Sequence, residues 1–188
     1  MVGVMLKIYF KWAVVPISFF CILSLLSCGN HKTGSGQYPG LDNVFIERAT
    51  PQQLDAAIRA GKDPNAAYLS NGVPNDMGAQ AIFATVNSNR PNLIRVLLAH
   101  GADINSRDAH GRTPLITAAI SGNLIMLGSL LENGANPNVV SPKWGSALHA
   151  VRHSSWVASE TRGGLSQLEA VLKHYGATDI PPAAPAAP

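Results

Sequence analysis

The sequence predicts an all-α fold, a solenoid of about four helix-turn-helix repeats carried behind a cleaved export signal and a flexible tether. Three observations predict it. The chain matches itself when shifted by 33 residues. Glycines punctuate the ends of apolar stretches that have helical periodicity. An uncharged apolar run near the start is too short to span a bilayer and leads directly into a cysteine.

The leader comes first. Residues 13–27, AVVPISFFCILSLLS, carry no charge and follow Lys7 and Lys11, the layout of a basic n-region and an apolar h-region. The run ends in Leu25-Leu26-Ser27-Cys28, which resembles the lipobox of bacterial lipoproteins: a leucine three residues before the cysteine, a small residue just before it, then the cysteine. The resemblance implies cleavage after Ser27 and a diacylglycerol on the Cys28 thiol. Each methylene of such a chain contributes about 0.8 kcal/mol of membrane affinity, so two or three chains anchor the protein durably. Gly29 resembles the outer-membrane sorting class, and the expected address is the bacterial cell envelope, with an outer-membrane lipid anchor facing the periplasm. A transmembrane anchor is the alternative, but it needs roughly 20 apolar residues.

Losing residues 1–27 changes the charge balance. Of 14 Lys and Arg, Lys7 and Lys11 leave with the signal, so 12 basic side chains face 11 acidic ones. They are interspersed, whereas nucleic-acid binding needs a clustered basic surface, and no nucleic-acid role is expected. Cys21 leaves with the signal and Cys28 is taken by the lipid, so the fold must hold without disulfides. After Cys28 the stretch GNHKTGSGQYPG, residues 29–40, lacks apolar periodicity and reads as part of a tether over 28–41 that reaches on the order of 20 Å. At the other end, PPAAPAAP over 181–188 reads as a disordered Pro/Ala tail.

The repeat fills the rest. Residues 108–140, DAHGRTPLITAAISGNLIMLGSLLENGANPNVV, align with residues 75–107 so that Gly111 falls on Gly78, Leu130-Leu131 on Leu97-Leu98, and Gly134 on Gly101. Thr113 is placed to cap a first helix whose first turn holds Pro114, where a missing N–H costs nothing. Leu115, Ala118 and Ala119 share one face, Leu127, Leu130 and Leu131 line the second helix, and Gly134 ends it in a left-handed conformation. Such helices are too short to stand alone, so each unit leaves an apolar face that its neighbour covers.

Period and opening motif together resemble the ankyrin-repeat family, whose signature reads T-P-L-H-x-A. Two less regular copies flank the clear ones. Gly145-Ser146-Ala147-Leu148-His149-Ala150 with residues 168–180 forms the last, and residues 44–65 form an N-terminal capping repeat. The resulting repeats cover 42–74, 75–107, 108–140 and 141–180. Gly61 and Gly101 are 40 apart, and Gly134 and Gly176 are 42 apart, which places insertions near 66–74 and 155–163.

The ankyrin resemblance implies a concave face of turn tips and first helices that binds a protein partner. Through the 33-residue register its variable positions fall on Asp76, Met77, Asn87 and Ser88, then on Ala109, His110, Arg112, Ile120 and Ser121, then on Lys143, Trp144 and His153. Trp144 stands where the other copies have glycine, which puts the turn geometry there in question. Trp156, in the insertion, either joins the binding face or folds back over the last repeat. His149 and His153 are four apart, yet no glutamate accompanies them and Arg152 lies between, so no metal site or other cofactor is expected. Neither a nucleophile elbow nor a phosphate loop occurs, and the chain reads as a non-enzyme without a small-molecule substrate. The favoured function is an immunity protein that neutralises a periplasm-acting toxin such as a secreted lipase. The alternatives are an envelope scaffold or adaptor and, less favoured, a hydrolase or peptidoglycan-binding protein.

Overall fold

The computed structural model describes residues 40–70, 73–74, 79–153 and 162–183. The export signal, Cys28, Asp76, Met77, Gly78, Trp156 and residues 184–188 lie outside the described residues. The described chain runs through α1 (Asn43–Arg48), α2 (Pro51–Arg59), a hairpin of β1 (Leu69–Ser70) and β2 (Val73–Pro74), α3 (Ala81–Asn87), a 3-10 turn (Pro91–Leu93) and α4 (Ile94–Ala99). It continues through α5 (Pro114–Ile120), α6 (Leu124–Glu132), α7 (Ala147–His153) and α8 (Arg162–His174). The fold is helical, and the hairpin is its one strand pairing of named strands among the described residues. That hairpin sits inside the first insertion, closed at its base by the Ala67–Gln80 bridge, so the extra residues lengthen a repeat tip and leave the helices intact.

Local chemistry starts several of the helices and stops others. The Thr50 hydroxyl accepts the Gln53 N–H (3.3 Å) while the Gln53 side chain accepts the Thr50 N–H (2.8 Å), a reciprocal cap in front of Pro51. Thr113 accepts the Ile116 N–H (3.3 Å) with Pro114 behind it, and Ser146, 33 residues on, accepts the His149 N–H at the same distance. At the far ends Gly61, Gly101, Gly134 and Gly176 all have positive φ. The residue after each glycine reaches back five positions, as in Ala102 to Leu97, Ala135 to Leu130 and Ala177 to Leu172. The segments around Gly101 and Gly134 are therefore equivalent helix ends, closed by the same pair of hydrogen bonds.

The buried faces form one apolar cluster running from repeat to repeat: Ile46 and Leu54, then Ile82, Leu93 and Leu97, then Leu115, Met126 and Leu130, then Leu148, Val151, Leu168 and Leu172. Ala118 and Ala119 are buried, as expected of small residues that let neighbouring helices approach. Leu41, read from the sequence as the last residue of the tether, is only 2 % exposed and belongs to this core. Its side chain is apolar and directly precedes α1, so burial is favourable as soon as the chain reaches the domain. The end of the second predicted insertion is helical, because α8 already includes Arg162 and Gly163.

A polar ladder ties the repeats on one side of this core. Asn65 donates to the Gly101 carbonyl (2.8 Å) and accepts the Asp103 N–H (3.1 Å); Asn105 accepts the Asn136 N–H (2.8 Å). Asn138 donates to the Gly176 carbonyl (3.0 Å) and accepts the Thr178 N–H (2.8 Å). Each asparagine stands four residues after a helix-ending glycine, and its own N–H is held by the side chain two residues earlier. At the N-terminal side the Arg90 guanidinium clasps the carbonyls of Glu47 and Ala49, joining the end of α1 to the turn after α3.

Candidate functional site

The tip of the third repeat is built around Asp108. Its side chain is 1 % exposed; Oδ1 accepts the backbone N–H groups of His110 and Arg112, both at 2.9 Å, and Oδ2 accepts Arg112 Nε at 2.8 Å. The carboxylate thus holds the turn and the guanidinium together. Arg112, a sequence-predicted contact residue, is committed to this internal pair. His110 and Ala109 project from the same tip and are exposed.

The fourth tip uses the same register with other chemistry. Ser141 takes the place of Asp108, and Ser141 and Gly145 exchange N–H to carbonyl bonds of 2.9 and 3.0 Å. Trp144 holds the place of Gly111, and the positive φ moves one residue on, to Gly145. The turn therefore closes with a tryptophan in it. Trp144 is half-buried against the core and Lys143, exposed, carries its ammonium 5.3 Å from the indole centroid. The two tips touch: Ser141 Oγ donates to the His110 carbonyl (3.3 Å), and Arg107 Nη1 donates to the Val140 carbonyl (2.8 Å).

Away from the tips, a second group lies at the ends of the first helices. Asn87 is exposed at the end of α3 and Ser88 caps it; Ile120 ends α5 and the exposed Ser121 caps that helix. The Asn123 side chain donates to Asn89 at 2.9 Å, so these two helix ends are neighbours. The structure thus brings His110, Arg112, Lys143 and Trp144 together at adjacent tips, and Asn87, Ser88, Ile120 and Ser121 together at adjacent helix ends. His153 closes α7, exposed, its ring stacked on His149 with 4.1 Å between centroids.

Several residues that shape this surface were not singled out from the sequence. Arg152 binds Asp179 Oδ2 (2.7 Å) and Glu169 Oε2 (3.1 Å), and Lys173 also reaches Glu169 (3.1 Å). The Arg152 guanidinium holds both carboxyls below their ordinary range, and they in turn raise its own value. His149 Nδ1 lies 2.8 Å from Asp179 Oδ1, and one ligand atom each from His149, His153 and Asp179 lies within 4.8 Å of the others. On the second-helix side, a hydrogen bond from His100 is the main cause that lowers Asp55, helped by Arg59. The open groove between α2 and α4 there contains none of the sequence-predicted contact residues.

Comparison with known proteins fits this geometry. Residues 54–141 match the family model of ankyrin repeats in 3 copies. A putative ankyrin repeat-containing protein of Treponema pallidum is 33% identical over 96 residues, which is 48% of this chain and 32% of that protein. The B-cell lymphoma 3 protein homolog of Mus musculus is 39% identical over 121 residues, 64% of this chain and 24% of that one. An ADP-ribosylation factor GTPase-activating protein of Arabidopsis thaliana is 34% identical over 126 residues, 65% of this chain but only 14% of its own length. The chain thus spans a third or less of these relatives, and the likeness concerns the repeats they contain. Such repeats are in general protein-binding scaffolds without chemistry of their own.

Proposed function

We propose, from the premise that residues 54–141 are ankyrin repeats, that this chain is a membrane-tethered periplasmic lipoprotein that binds and neutralises a periplasm-acting protein toxin, such as a secreted lipase. The repeats supply the scaffold for protein–protein interaction. What supports the finer reading is the union of two features in one chain: the Leu25-Leu26-Ser27-Cys28 run that resembles a lipobox, and a repeat stack whose tips carry groups suited to binding. A toxin acting in the periplasm would be intercepted where it acts. The tips offer an aromatic anchor in Trp144 with a cation beside it, the residue types that most often concentrate binding energy in an interface.

Two tests address the two halves of this reading. Deleting the gene should sensitise the cell to a toxin delivered into its periplasm, and deleting a toxin-encoding neighbour as well should remove the sensitivity; harmless loss under toxin delivery would leave an envelope scaffold instead. Metabolic labelling with a fatty acid should mark the wild type and spare Cys28→Ala. Once the partner is in hand, Trp144→Ala or Trp156→Ala should weaken binding by more than about 1 kcal/mol in at least one case. Calorimetry giving two unaltered affinities would remove both residues from the interface.

A further inference from the structure

We propose that His149, His153 and Asp179 form a surface site for a divalent transition-metal ion, with zinc as the first ion to try. The spacing of the two histidines on α7 places both imidazoles on one helix face, and by itself that gives two ligands. The fold adds a third from 30 residues away, because the segment after α8 returns along α7 and puts Asp179 Oδ1 2.8 Å from His149 Nδ1. Two imidazoles and a carboxylate are a donor set suited to zinc, copper or nickel.

Distances and rigidity support the assignment. Ligand atoms around a tetrahedral zinc at its usual bond lengths sit about 3.3 Å apart. The three donor atoms already lie within 4.8 Å of one another. His153 is exposed and, among the described residues, stacked on His149 alone, so turning its ring closes the difference without disturbing the core. Asp179, by contrast, is fixed. Arg152 holds Oδ2 at 2.7 Å, Oδ1 faces His149 Nδ1 and would exchange that hydrogen bond for the ion, and Asn138 and Ser146 hold Thr178 and Ile180 on either side. Nor does the guanidinium make the site repulsive, since Arg152 and Lys173 are matched by Asp179 and Glu169. The fourth position is open to water or to a side chain of a bound protein.

The test is calorimetric titration of the full, chelator-stripped chain with zinc chloride, repeated for His153→Ala and Asp179→Asn, with circular dichroism to verify that each variant keeps its helices. Cys21 and Cys28 are common to all three proteins, so differences report on this site. The expected result is one saturable event in the wild type that weakens at least tenfold in both variants. Cobalt, titrated in parallel, should develop visible absorption that His153→Ala abolishes. Absence of saturable binding up to millimolar zinc, or a loss smaller than tenfold in either variant, would overturn the site.

Discussion

The third and fourth repeat tips occupy the same places in a 33-residue register and share one backbone bond, Asp108 N–H to the Arg112 carbonyl (3.0 Å) and Ser141 N–H to the Gly145 carbonyl (2.9 Å), but differ in what else closes them. At the third, a buried carboxylate gathers two backbone N–H groups and a guanidinium, so the turn is complete within five residues. At the fourth there is no such side chain. Ser141 and Gly145 pair through their backbones, and the next residue, Ser146, exchanges bonds with Ile180: its N–H donates to the Ile180 carbonyl (2.8 Å) and its Oγ accepts the Ile180 N–H (3.1 Å). The Asp108 carboxylate organises the third tip from within, whereas the fourth leans on the segment that follows α8. A repeat register thus fixes where a turn must be, and leaves open what holds it.

The largest expected effect separates the tips at their equivalent residues. Asp108→Ala leaves a partly buried guanidinium and two N–H groups without their acceptor, a loss of about 3 kcal/mol. Ser141→Ala removes one long hydrogen bond from a turn that its backbone already closes, a loss of about 0.5 kcal/mol. Urea unfolding of the two variants measures the gap. Equal losses would mean that the carboxylate does not organise the third tip.

A smaller effect tests the dependence of the fourth tip on its neighbour. Gly145 has φ +66, and a Cβ there would collide with the Ile180 carbonyl and approach the His149 ring at 2.9 Å. Gly134 has φ +89 with open space around it. Gly134→Ala therefore carries only backbone strain, about 1 kcal/mol, whereas Gly145→Ala adds displacement of the Ile180 segment, for about 2 kcal/mol or more in all. Hydrogen exchange at the Ser146 amide should rise in Gly145→Ala and stay unchanged in Gly134→Ala; equal protection in both would detach the tip from that segment.

How much of this was legible in the sequence follows the same division. What depends on neighbours in the chain was readable: the cap at Thr113, the glycine helix ends, the buried faces of α5 and α6. The asparagine ladder had a visible signal, since Asp63-Pro64-Asn65, Asp103-Ile104-Asn105 and Asn136-Pro137-Asn138 recur after equivalent glycines. What depends on distant partners was not. No local pattern ties Arg152 to Glu169 and Asp179, which lie 17 and 27 residues away. Arg112 read as a contact because the 33-residue register puts it on a variable position of the binding face; only the burial of Asp108 shows that its guanidinium is held in an internal pair. Leu41 was assigned to the tether by the composition of the residues before it, although its own side chain belongs to the core.

The smallest effect concerns that distant network, which holds the segment after α8 against α7. Arg152 lowers the Asp179 carboxyl chiefly by its hydrogen bond, with His149 second, and lowers Glu169 in the same way, with Lys173 adding to it. A carboxyl whose value is lower folded than unfolded stabilises the fold above its unfolded value, about 4, and that contribution is lost as pH falls through the lowered folded value. The groups are partly exposed, so solvent screening keeps the contribution modest and salt-dependent. Arg152→Gln, measured with chelator present, should lower the urea midpoint at pH 7, and the gap to wild type should narrow below pH 4 as both carboxyls take up protons. Asp108→Ala removes a different carboxylate and leaves these pairs intact, so its own low-pH loss of this contribution should match wild type. A gap for Arg152→Gln that stays constant from pH 7 to pH 3 would mean that the arginine acts by packing its methylenes, and that the seam between α7 and the final segment is held by the Ser146, Asn138 and His149 bonds without it.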